Sequence, residues 1–224
     1  MSPPRPCSTV IMARHAERYD ITDLATSHTV LLTEKGKQDA IAFGRRLAAG
    51  QTDAVLFHSP VPRCRQTAEG IARGLDTERV QVSGLSPLAW LGGDPLAIDT
   101  GFADDHIRTH GVDGFLRSWF DGLFPPERVI PLAEAARFQM RELLAQAELG
   151  TSLVVDITHD WNLMVVLEYY FRLRHEENGT PVFLDHLTVT ASGAYPTARY
   201  HGREVEISRK TLEPRSPRDG RRAT

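Results

Sequence analysis

Residues 8–18 read STVIMARHAER, and the change of character at Arg14 decides how the chain is read. Residues 8–13 form a short apolar run with several β-branched residues, the composition of a strand buried on both faces. From Arg14 onward the stretch is charged. The same break recurs twice: residues 53–59 read DAVLFHS, and residues 151–160 read TSLVVDITHD.

Helical patterns separate these strands. Thr33 precedes an amphipathic run with Glu34 in its first turn, Ala40, Phe43 and Leu47 on one face, and Gly50 as a stop. Residues 63–74, 132–148 and 160–172 also read as helices, and 79–85 as a weaker strand. Residues 86–131 are rich in Gly, Pro and Asp. They read as an irregular insertion with one short helix, 112–121, expected to form a cap. Ser192-Gly193 divides two strand-like runs, 186–191 and 195–200, a terminal hairpin.

Strands alternating with helices predict an α/β fold, three layers α/β/α around a mostly parallel central sheet. In such sheets ligands bind beyond the carboxyl ends of the strands. Three clusters fall there: Arg14-His15, His58-Ser59 and Thr158-His159-Asp160. One domain over 1–207 is expected, followed by a basic tail, 208–224, expected to be disordered.

Composition excludes several classes. The chain has 224 residues and a net charge of −3. The tail carries +4 of this, which leaves −7 on the body and gives no footprint for nucleic acid. No apolar run is long enough to cross a membrane. Residues 1–7, MSPPRPC, read as a disordered leader without the apolar core of a secretory signal. Two cysteines, Cys7 and Cys64, make no disulfide framework, so a cytoplasmic setting is expected. Of the 26 basic residues, 23 are Arg. This can reflect coding bias, or bidentate recognition of phosphate or carboxylate; position has to choose.

Position points to the strand ends. A His flanked by Arg14 and Arg18 is disfavoured as a cation. It therefore keeps the lone pair of a nucleophile while the guanidinium groups gather an anionic electrophile. Arg63 at a helix start adds a further cation. His159 and Asp160 supply a second imidazole and a carboxyl group able to protonate a leaving oxygen. This set matches phosphoryl transfer to and from histidine.

RHAER at 14–18, LTEKGKQDAIAFGRRLA at 32–48, SPVPRCRQTAEGIA at 59–72 and THD at 158–160 together resemble the histidine phosphatase superfamily, which includes phosphoglycerate mutases, phosphohistidine phosphatases and histidine acid phosphatases. The resemblance covers about half the chain, in order. It implies that His15 is phosphorylated during turnover. Arg14 and Arg63 bind the phosphoryl oxygens, His159 completes the pocket, and no metal or other cofactor takes part. Two departures stand out. The usual Gly after the catalytic His is Ala16, and the Glu of the small branch has no counterpart in Gly84-Leu85-Ser86-Pro87. Asp160 instead follows His159 directly, as in the acid phosphatases, and Arg18 sits where that branch places an extra phosphate-binding Arg. Asp160 is taken as the proton donor, with Asp94 and Glu17 in reserve.

Plainer roles stand beside these. Asp160 is also a good helix cap, Arg18 a good solvated loop residue, and Arg65 a surface residue. Cys64 reads as packing, His106 with His110 as a solvated helix face, and Phe115, Trp119, Phe120 and Phe124 as core. The expected activity is hydrolysis of a small phosphorylated metabolite. The alternatives are a phosphohistidine-protein phosphatase, a phosphomutase and a silent phosphate-binding module. Arg18 and Ile21 stand where resembling mutases carry Ser/Thr and Asn. The 186–200 hairpin offers an edge for a homodimer.

Overall fold

Alternate residues of the first strand go to opposite faces of a sheet, and that alternation builds the layers. β1 (Thr9–Arg14) sends Val10 and Met12 to one side and Ile11 and Ala13 to the other. The structure, a computed structural model, describes residues 8–92, 99–191 and 195–212. β1 lies in a seven-stranded sheet with β2 (Asp53–His58), β3 (Gln81–Pro87), β4 (Leu153–Thr158), β5 (His186–Thr190), β6 (Thr197–Tyr200) and β7 (Arg203–Glu206), in the order β3-β2-β4-β1-β5-β6-β7. β3, β2, β4 and β1 are parallel, with Val10 opposite Val154 and Leu56 opposite Val155. β5, β6 and β7 continue the sheet antiparallel.

The Ile11 face packs on α1 (Glu34–Leu47) and α2 (Pro62–Thr77) through Ala40, Phe43, Ala68, Ile71 and Leu75. The Val10 face packs on α4 (Leu132–Gln146) and α5 (Asp160–Val166) through Met140, Leu143, Leu144, Leu163 and Val166. Each such fully buried aliphatic side chain contributes about 1.5–3 kcal/mol. The three-layer α/β fold expected from the pattern is present.

Thr33 caps α1: its Oγ accepts from the Gly36 amide at 2.9 Å. Pro62 opens α2 at the position where a missing N–H costs nothing.

The insertion departs from its sequence reading. α3 (Thr100–Phe120) occupies much of it, capped by Asp99, which accepts from the Phe102 amide. Gly111, at φ 76°, breaks α3 in two. Its second half is the helix expected near 112–121. The first half was hidden because Thr100–His110 is largely polar. Phe115, Leu116, Trp119 and Phe120 pack onto Ala135 and Ala136 of α4 and Met164 and Val165 of α5. Phe115 also stacks on Trp161, ring centroids 5.6 Å apart.

α5 is shorter than the expected 160–172. It widens into a π turn, Leu167–Phe171, and stops at Arg172 in the left-handed region. A short helix, α6 (His175–Asn178), follows. The 186–200 hairpin is not an edge, because β5 pairs with β1 and β6 with β7. The proposed Ser192-Gly193 turn lies outside the described residues. The packed body passes residue 207: Arg209–Leu212 forms a 3-10 turn that buries Leu212. Among the described residues no helix is long and apolar enough to cross a membrane.

Candidate active site

β1, β4 and β2 are neighbours, so their carboxyl ends place Arg14, Thr158 and His58 side by side. The residues that follow turn into one pocket. The His15 amide donates to the Thr158 carbonyl at 2.9 Å, and the Ser59 amide to the Ile157 carbonyl at 2.8 Å. Ladder bonds thus continue past the strands and fix both residues.

His15 is 3% exposed. Its Nδ1 lies 2.8 Å from the Ala16 carbonyl, which can only accept, so the proton sits on Nδ1. Its Nε2 is unprotonated, and its lone pair accepts from Arg63 Nε at 3.0 Å. Burial holds this imidazole well below its usual pKa, and Arg63, His159 and Arg14 add to the effect against the Ala16 bond.

Arg63, 8% exposed, joins three segments. Besides His15, its Nη2 donates to His159 Nδ1 at 3.2 Å and its Nη1 to the Ser27 carbonyl at 2.7 Å. With Nδ1 accepting, the His159 proton lies on Nε2, which donates to Ser59 Oγ at 3.0 Å. Burial, then Arg63 and Arg14, push the His159 pKa down to about 3. The two imidazoles stand 5.5 Å apart, nearly perpendicular.

Arg14 completes the pocket. Its Nη2 pairs with Asp160 Oδ2 at 2.8 Å, its Nη1 donates to the Pro181 carbonyl at 2.6 Å, and its plane lies 4.5 Å over the Phe183 ring. Its buried Nε has no protein partner among the described residues, a donor left for a ligand. Asp160 Oδ1 accepts from the Trp161 amide at 3.0 Å. The expected cap role passes to His159, whose backbone precedes α5.

Arg18 sits at the rim. It is half-buried and donates to the Tyr19 carbonyl at 2.8 Å, while its charge bears on both Arg14 and Arg63. Glu17 turns away from the imidazoles: it accepts from Thr33 Oγ1 at 2.8 Å and pairs with Lys35 at 3.4 Å. Asp94 lies outside the described residues. Burial pushes the Cys64 thiol up to about 12, the behaviour of a packing residue. Arg65 pairs with Glu69 on the helix surface. The His106 and His110 rings lie 4.4 Å apart without a third ligand, and no group of three metal-ligating side chains exists among the described residues.

Sequence reasoning missed the closing side of the pocket. Ser27, Pro181 and Phe183 all touch catalytic candidates. Ser59, singled out with His58 at a strand end but given no role, accepts from His159. Residues 172–185 offered no periodicity at all.

The strand ends of this α/β sheet hold two neutral histidines among arginines, a set whose N–H donors can hold an oxyanion. The family described as histidine phosphatase superfamily (branch 1) matches residues 10–91. The fold is also that of YhfR from Bacillus stearothermophilus: 18% identity, TM-score 0.58, covering 92% of this chain and 100% of that one. Phosphoserine phosphatase from Entamoeba histolytica, in complex with 3-phosphoglyceric acid, gives 15% identity, TM-score 0.54 and coverage of 92% and 100%. A putative alpha-ribazole-5'-P phosphatase from Escherichia coli K-12 gives 13%, 0.52, and 90% and 97%. No curated protein matches. Residues 10–91 thus resemble the histidine phosphatase superfamily, and the fold is shared with these solved structures.

Proposed function

We propose that the chain is a cytoplasmic phosphomonoester phosphatase that works through a phosphohistidine at His15. The observation that carries the proposal is the His15 tautomer. A neutral imidazole, held by Ala16 through Nδ1, aims an unprotonated Nε2 into the space shared by Arg14, Arg63 and His159. Nucleophile and anion site are then one structure. Phosphatases and a phosphoglycerate mutase share this fold; Arg18 and Ile21, standing where resembling mutases carry Ser/Thr and Asn, support hydrolysis over mutase chemistry.

In the first step Arg63 yields Nε2 to the substrate, and its N–H groups turn to the phosphoryl oxygens with those of Arg14 and Arg18. Nε2 bonds to phosphorus while the P–O bond to the alcohol breaks and Asp160 gives the leaving oxygen its proton. The ion pair with Arg14 couples these events. A phosphoryl group that takes Arg14 frees Asp160 from the ion pair, and the carboxyl group enters the step carrying a proton taken up from solvent. In the second step water attacks phosphorus, Asp160 takes its proton, and the N–P bond breaks. The incoming dianion favours imidazolium at His159, which then balances the charge. No step draws on a metal or cofactor.

The acidic body and basic pocket suit a small phosphorylated metabolite, not nucleic acid or a membrane surface. If the chain pairs through its sheet, the edges available among the described residues are β3 and β7. His15→Ala decides the reading. It is expected to abolish hydrolysis of p-nitrophenyl phosphate and acid-labile labelling by radioactive substrate. Full activity in that variant overturns it. Turnover of a phosphohistidine carrier protein without any turnover of small esters moves the assignment to protein substrates.

A further inference from the structure

In the structure the proposed nucleophile is closed off. His15 is 3% exposed, and the Phe183 ring lies 5.7 Å from its imidazole and 4.5 Å from the Arg14 guanidinium. A phosphoryl group cannot reach Arg14 across that face while the ring is there. On the far side of Phe183 lies a cavity of about 470 Å³ between α1 and residues 182–186, within the size range of small-molecule sites. Its walls include Lys35, Asp39, Phe43, Arg46 and His186. Glu17, two residues after His15, lines it as well.

The segment carrying Phe183 is a turn between two positions of positive φ, Gly179 at 78° and Leu184 at 62°. Leu184 is strained there, because a bulky side chain disfavours positive φ. Val182 is 66% exposed. The Val182 amide donates to Asp185 Oδ2 at 3.3 Å and its carbonyl accepts from the Asp185 amide at 3.0 Å. Asp185 in turn accepts from Tyr200 Oη at 2.8 Å, faces His201 Nε2 at 2.5 Å, and offers its carbonyl to the Arg14 amide at 2.9 Å. The Phe183 side chain itself projects from this turn over Arg14 and His15. Arg14 Nη1 also donates to the Pro181 carbonyl, and a phosphoryl oxygen competes for that donor.

We propose that Phe183 is the specificity-determining residue: its ring separates the His15–Arg14 centre from the cavity beside α1, and that cavity receives the alcohol part of a small, polar phosphomonoester once the ring turns aside. The walls define the class. Charges of both signs, from Lys35, Arg46 and Asp39, favour a leaving group that carries its own polar or ionised groups, and the Phe43 and His186 rings offer it a flat face. The leaving-group assignment rests on the phosphatase reading; the gate does not.

Two readouts test the parts separately. Diethyl pyrocarbonate acylates neutral imidazole, and peptide mass spectrometry resolves its rate at His15 without any turnover. Phe183→Ala is expected to speed acylation of His15 by about tenfold or more, as removal of a gate should. Unchanged labelling overturns the gate; if the variant fails to fold by circular dichroism, Phe183→Leu carries the same test. Arg46→Ala, at the cavity wall, is expected to raise KM for polar phosphomonoesters several-fold while inhibition by inorganic phosphate stays put. Equal KM values overturn the leaving-group site. If the parent chain hydrolyses no ester, the phosphatase reading and this subsite fall together, and the labelling rates still decide the gate.

Discussion

At the carboxyl ends of β1, β2 and β4 each side chain is placed by the sheet. His15 and Ser59 are held by amide bonds that extend the ladder, and Arg63 enters on the first turn of α2. Residues 179–185 reach the same pocket differently. They follow a four-residue helix, pass two left-handed residues and touch Arg14 through a carbonyl and a ring. The first region fixes the reacting groups in one geometry. The second closes the pocket with contacts that a ligand can replace. The proposed chemistry sits on residues fixed by the sheet, and the proposed selection on a loop.

The comparison is broken most severely by removing an arginine from the rigid side. Arg63→Lys replaces a three-way fork by a point charge. It is expected to lower kcat by about 10²–10³-fold, the scale of losing one oxyanion donor, in steady-state assays. Asp160→Asn is expected to slow esters of poor leaving groups by about 10²-fold or more. The loss should be far smaller for p-nitrophenyl phosphate, whose leaving group needs no proton. Equal losses on both substrates remove Asp160 from the acid role.

Stability separates the regions further. Trp119, 2% exposed and donating to the Ile130 carbonyl at 2.7 Å, anchors the insertion. Trp119→Ala is expected to cost about 3–5 kcal/mol in urea unfolding, while activity per folded molecule stays within the same order. The histidines add a pH term. His159 is neutral when folded, with its pKa lowered from 6.5 to about 3. The unfolded chain therefore binds the extra proton first. Stability is full above pH 6.5 and falls toward pH 3, by up to about 1.4 kcal/mol per pH unit for this group. His159→Asn should flatten that slope in urea midpoints, and phosphate should flatten it in the parent.

The smallest effect has the opposite sign. Asp156, fully buried on β4, receives one bond from Gln146, and burial holds its carboxyl well above the usual range. Its contribution is whole in acid and fades as pH rises through the raised value. Asp156→Asn should lessen the loss of Tm as pH rises above the usual carboxylate range.

The rigid region was legible in the sequence because its signals are local. A buried strand reads as an apolar run, and the first charged residue after it marks the site. Arg14, His15, Arg63, His159 and Asp160 were all read that way, and the structure brings them together. The placement of Glu17 was not, since its partner Thr33 lies across a loop. The cover was illegible for the same physical reason. Thr100–His110 shows no apolar stripe, β7 carries one half-buried residue among exposed charges, and Phe183 acts through a tertiary contact with Arg14.

The stack of Trp161 on Phe115 gives the strand-end pocket and the insertion a shared optical reporter. Trp161 directly follows Asp160, and Phe115 belongs to α3. An indole in that position sits at the seam between the reacting carboxylate and the insertion. Its emission would shift when either side moves, so occupancy of the pocket becomes visible in an unlabelled chain.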